Sequence, residues 1–138
     1  MMFETEQASN VRKEWSFFID KVLHEKPAII KRRRDSIAVF SLEHLKTLIS
    51  GVKFQVELKQ EKDETWTAIL KDIELAVNAN TKQKTLDLLA KDLMDYANEY
   101  MDEFEVYYRS RNRKNHFPYI VKVLLQKDQN AVLDLLDA

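Results

Sequence analysis

The sequence predicts an α+β protein made of a β-α-β-β-α module followed by a β-β-α-α module, and three patterns point to it. Ala28-Ile29-Ile30-Lys31 and Ile37-Ala38-Val39-Phe40 are apolar β runs joined by the polar stretch from Arg32 to Ser36, which predicts a hairpin. Val52, Phe54, Val56 and Leu58 alternate with Lys53, Gln55, Glu57 and Lys59, the period of a half-buried strand. Leu86, Leu89, Leu93, Tyr96 or Ala97, Tyr100, Phe104 and Tyr107 keep the spacing of a long amphipathic helix.

The first module begins with a short strand over Phe3 to Ala8, and Ser9 or Asn10 is placed to cap the helix that follows. Val11, Trp15, Phe18, Ile19 and Val22 form one apolar stripe of that helix. Pro27 ends it before the hairpin. Ser41 caps a second helix, with Leu42, Leu45, Leu48 and Ile49 on one face. Gly51 is the sequence's single glycine, and it stands where a helix end favours a left-handed residue. The boundary between the modules is drawn there, giving domains 1–51 and 52–138.

In the second module Glu61 to Glu64 is the turn and Trp66 to Leu70 the returning strand, while Ile73, Leu75 and Val77 alternate again. Thr81 caps the long helix. Arg109 to Asn115 is a polar connector. Phe117 to Leu125 reads as a helix started by Pro118, with a buried strand as the alternative. Asp128 caps a last short helix carrying Val132, Leu133, Leu135 and Leu136.

Composition bounds the function. Hydrophobic residues make up 45% and charged residues 33%, as in an ordinary helix-leaning folded domain. No apolar run approaches the length of a membrane span, and the N-terminus lacks the pattern of a signal peptide. With no cysteine, disulfides, thiol catalysis and thiolate metal sites are excluded, and a cytoplasmic location is expected. His24, His44 and His116 are far apart with no partner at helical spacing, so no metal is expected. Neither a glycine-rich phosphate loop nor GxSxG nor HExxH occurs, and Asp102 and Glu103 read as solvated. No enzyme, catalytic residue or cofactor is expected.

The net charge of −1 conceals an asymmetry. Residues 1–50 carry nine Lys/Arg against seven Asp/Glu, whereas residues 51–138 carry thirteen against sixteen. Lys31-Arg32-Arg33-Arg34 places four cations in four residues. Such a cluster suits a polyanion, and equally a solvated turn. Arg109, Arg111, Arg113 and Lys114 make a second cationic patch with the same two readings. Tyr96, Tyr100, Phe104, Tyr107 and Tyr108 suit base stacking in principle, but at helical spacing they read first as core or dimer interface.

The first fifty residues resemble the Phd/YefM family of antitoxins. Three stretches carry the resemblance in order: Val11-Arg12 with Trp15 to Val22, Glu25-Lys26-Pro27-Ala28-Ile29-Ile30-Lys31-Arg32-Arg33, and Ile37 to Glu43. Where the family has glycine after the arginines, this chain has Arg34 and Asp35, which points to a wider hairpin turn. The resemblance implies a homodimer or higher homo-oligomer that lies on operator DNA, represses its own operon and neutralises a toxin. By position it implies DNA contacts from Ser9, Asn10, Arg12 and Lys13, and more weakly from Arg32 and Arg33; Arg34 is added from charge alone. From Trp66 to Leu89 the second half looks similar to the HicB-like antitoxin fold, which implies a structured accessory domain for toxin contact or oligomerisation. The competing expectation is a protein-interaction module whose hairpin arginines grip an acidic partner without DNA.

Overall fold

In the computed structural model, residues 1–137 are described, and the chain divides into two compact units, Met1–Ser50 and Gly51–Ala138. The architecture is α+β, as the patterning predicts, with two small sheets.

The first unit contains β1 (Thr5–Gln7), α1 (Ala8–Lys13), α2 (Trp15–His24), β2 (Ala28–Arg32), β3 (Asp35–Val39) and α3 (Leu42–Leu48). Its sheet has the order β1-β2-β3, with β1 parallel and β3 antiparallel to β2. Val11, Phe18, Val22 and Ala28 are its buried centre, and Ile19, Ile30 and Val39 pack against them.

Four local expectations are corrected here. The single helix expected through Val22 is two helices, because Glu14 leaves helical geometry at φ −120° and ψ 44°. The break shifts the register of the stripe, so Val11 and Phe18 are buried while Trp15 is 57% exposed. Ser9 and Asn10 do not cap: parallel pairing of Gln7 with Lys31 keeps the chain extended up to Gln7, and the helix starts at Ala8. The hairpin is not widened, since Arg32 pairs with Asp35 and only Arg33 and Arg34 form the loop. Arg33 itself takes φ 57°, the left-handed conformation that closes so short a loop. Gly51 does not take a left-handed conformation. Instead α3 closes with Ile49 N–H donating to Leu45 O and Ser50 N–H to Thr47 O, which needs no such residue. At the other end of α3, Ser41 Oγ accepts from His44 N–H at 3.1 Å, as expected.

The second unit contains β4 (Phe54–Gln60), β5 (Trp66–Leu70), a 3-10 turn (Lys71–Ile73), β6 (Leu75–Ala79), α4 (Lys82–Asp102), α5 (Phe104–Arg109), α6 (Phe117–Leu124), α7 (Gln129–Leu135) and β7 (Leu136–Asp137). β4, β5 and β6 form an antiparallel meander, and β7 adds in parallel beside β4 with Leu136 opposite Phe54. α4 crosses this sheet and is flanked by α6 and α7. Leu89, Leu93, Ala97, Tyr100 and Ile120 are fully buried there, together with Ala68 and Leu70 of β5. Thr81 Oγ1 accepts from Lys84 N–H at 3.1 Å and Asp128 Oδ1 from Ala131 N–H at 2.8 Å, so both expected caps are made. The long helix stops sooner than its stripe predicts. Glu103, at φ −114° and ψ 42°, separates Phe104 and Tyr107 into α5. Residues 117–124 are helical, with Pro118 in the first turn.

Candidate nucleic-acid interface

The register of the first sheet decides what stands beside what. Because β1 runs parallel to β2 with Gln7 opposite Lys31, the chain leaves β1 into α1 at the same end of the sheet where β2 enters the hairpin loop. The first turn of α1, with Ser9 and Asn10, therefore shares one end of the unit with Arg32, Arg33 and Arg34. Arg12 and Lys13 follow on the exposed side of α1, opposite buried Val11. All seven residues are exposed.

The basic residues of this unit divide into two groups. Lys21 donates to Glu4 and, at 3.5 Å, to Glu6, while Lys26 stands 2.8 Å from Glu4. Hydrogen bonds from Lys21 first and Lys26 second hold the Glu4 carboxyl down to about 2, and the bond to Glu4 raises Lys21. These two cations are spent on tying β1 to α2 and to the segment after it. Arg12, Lys13, Lys31, Arg32, Arg33, Arg34 and Lys46 make no ion pair among the described residues. Their fields are open to solvent.

Two shallow depressions border α1. One is lined by Thr5, Glu6, Gln7, Asn10, Lys13 and Glu14, so Asn10 and Lys13 meet there with two carboxylates beside them. The other is lined by Arg12, Lys13, Glu14, Trp15, Ser16 and Phe17. The apolar pattern does not reveal its aromatic members: the stripe places Trp15 in the core, whereas it is exposed, and Phe17, 67% exposed, lies off the stripe. An aromatic residue opposite the apolar stripe was the available signal.

The aromatic candidates of the second unit pack against one another. Tyr100 lies 5.4 Å from Tyr107 and Phe104 5.1 Å from Tyr108, and Phe117 closes the cluster, so this ladder packs on itself. Arg113 lies over Tyr107 at 4.8 Å and over Tyr96 at 5.8 Å, and Lys114 over Tyr108 at 5.1 Å. Those two cations are thus engaged by ring faces, while Arg109 and Arg111 are exposed. His116 is buried, with Nδ1 2.7 Å from the Tyr96 hydroxyl, and burial lowers its pKa. Among the described residues no group of three or more His, Asp or Glu side chains is arranged to hold a metal ion, and no helix is long and apolar enough to cross a membrane.

The comparisons with known proteins agree over nearly the whole chain. The model of the PHD-like family, described as the antitoxin of RelE/RelB toxin–antitoxin systems, matches residues 2–138. Its match therefore runs through both units. A crystal structure from Syntrophomonas wolfei subsp. wolfei, described as the antitoxin part of a proposed toxin/antitoxin system, superposes with a TM-score of 0.89 at 35% identity. The alignment covers 98% of this chain and 97% of that one. No curated protein matches. The chain belongs to the PHD-like family of toxin–antitoxin antitoxins.

Proposed function

We propose that this antitoxin binds the operator of its own operon as a dimer, through the first unit, and neutralises a cognate toxin protein. The observation that supports the DNA reading is the set of exposed cations without ion pairs among the described residues, with Arg32, Arg33 and Arg34 at the end of the first sheet where α1 begins and Arg12 and Lys13 on α1 itself. Arg12, Lys13 and the hairpin arginines Arg32, Arg33 and Arg34 neutralise phosphates. Ser9 and Asn10 sit in the first turn of α1, where Asn10 can accept from and donate to an adenine edge. Repression then follows by occlusion of the promoter.

Dimerisation is supported by the thinness of the first unit's core. Trp15, Phe17, Leu23, Ile37, Leu42 and Leu48 are all more than half exposed in a unit whose buried centre is four residues. Domains of this length bury only about 60% of their unfolded surface, and an apolar surface of this extent calls for a cover. A second copy supplies it. The second unit, with its own larger core, is the accessory domain for toxin contact or oligomerisation. The protein acts by binding, with no catalytic or cofactor role assigned.

Gel retardation on DNA from upstream of its own gene tests this reading. Retardation by the wild type, together with rescue of growth when the protein is expressed with the toxin encoded beside it, is the expected result. A soluble dimer that retards no such DNA contradicts it and favours an acidic protein partner for the arginines.

A further inference from the structure

We infer that the hairpin tip, Arg33-Arg34, reads the minor groove of A·T-rich DNA next to the site held by α1, an inference that rests on the DNA-binding reading above. The first argument is reach. Gln7 is level with Lys31, and β2 continues through Arg32 before the two-residue loop. At about 3.3 Å per residue the tip leads the start of α1 by roughly 7–10 Å, and it is displaced sideways by one to two strand spacings of about 4.8 Å. With α1 against one groove, the tip stands beyond the neighbouring sugar–phosphate ridge.

The second argument is width. A two-residue loop is the narrowest turn a hairpin uses, and the minor groove is only about 6 Å wide against about 12 Å for the major groove. Arg33 reaches this narrow form at φ 57°. The third argument is charge. Arg33 and Arg34 are exposed and unpaired among the described residues, and narrow A·T-rich minor grooves concentrate the negative potential that draws arginine in. Lys31 and Arg32, on opposite faces of β2 by strand alternation, flank the tip and meet the phosphates of the two ridges. The only donor that blocks such entry is the guanine 2-amino group, so the tip distinguishes A·T from G·C.

The test uses full-length protein and fluorescence anisotropy on its own promoter DNA. The base pairs flanking the footprinted core are made A·T, G·C or I·C, where inosine presents the major-groove face of G·C and the minor-groove face of A·T. The expected result is similar affinity for A·T and I·C flanks and about tenfold weaker binding to G·C flanks, in the range of one mismatched base pair. Arg33→Gly with Arg34→Ala keeps the turn accessible, so circular dichroism should be unchanged, while affinity falls on every duplex and the binding that remains no longer distinguishes A·T from G·C flanks. I·C flanks that behave as G·C, or a variant that retains the preference, overturn the minor-groove inference alone. Failure of the wild type to bind every duplex overturns the operator reading on which it rests.

Discussion

Lys21 and Arg33 use positive charge in opposite ways. Lys21 is half-buried and tied to Glu4 and Glu6, so it holds β1 in place. Arg33 makes no ion pair among the described residues and occupies left-handed backbone that a β-carbon disfavours by about 1–2 kcal/mol. Arg33→Gly should relieve that strain, less the roughly 0.5–1 kcal/mol of chain entropy that glycine adds. Urea unfolding should show stability equal to or about 0.5 kcal/mol above the wild type, while operator affinity falls; loss of both together would place Arg33 in a structural role. A second residue with a separable effect is His116. Burial lowers its pKa below the ordinary 6.5, Glu74 opposes the shift and Arg113 reinforces it. The unfolded chain therefore takes up a proton before the folded one does. Above about pH 6.5 the residue contributes no pH dependence, and as the pH falls below that value stability is lost until the folded pKa is reached. His116→Gln should flatten this acid limb in thermal unfolding followed from pH 7.5 to 5, and an unchanged slope would show that the titrating group lies elsewhere.

At the scale of elements, α4 holds the second unit together. Leu93 is fully enclosed between the sheet and the flanking helices, so Leu93→Ala should cost about 3 kcal/mol. Trp66 is only half-buried at the edge of β5, and Trp66→Ala should cost clearly less than the 3–5 kcal/mol of an enclosed aromatic residue. Equilibrium unfolding of the two variants checks the order, and a reversed order would mean that the sheet, not α4, carries the core. Strands and helices with strong periodicity were legible in the sequence, as were the caps at Ser41, Thr81 and Asp128, because each rests on local chemistry. What escaped was set by geometry that no pattern records. Glu14 and Glu103 adopt nearly the same non-helical conformation, and each breaks a stripe whose spacing continues across it. β7 has two residues and is defined by its parallel pairing with β4, a long-range contact. The arginines of the candidate interface were visible as a run, but their placement beside the start of α1 depends on the Gln7–Lys31 register, a long-range pairing.

At the scale of the whole molecule, the two units differ in self-sufficiency. The second has a continuous core of sheet and helices, whereas the first leaves Trp15, Phe17, Ile37 and Leu48 in solvent. The protein should therefore sediment as a dimer at micromolar concentration. Phe17→Glu should weaken that dimer, and a concentration-independent monomer would contradict the account of the first unit. On the operator reading, DNA is held by cations which the fold leaves unpaired, and the salt dependence of operator affinity is the decisive measurement. For the wild type log K should fall steeply and linearly with log salt, and Arg12→Ala with Lys13→Ala should lower the slope by about one unit for each phosphate contact removed. A double variant with wild-type affinity and an unchanged slope would contradict that reading.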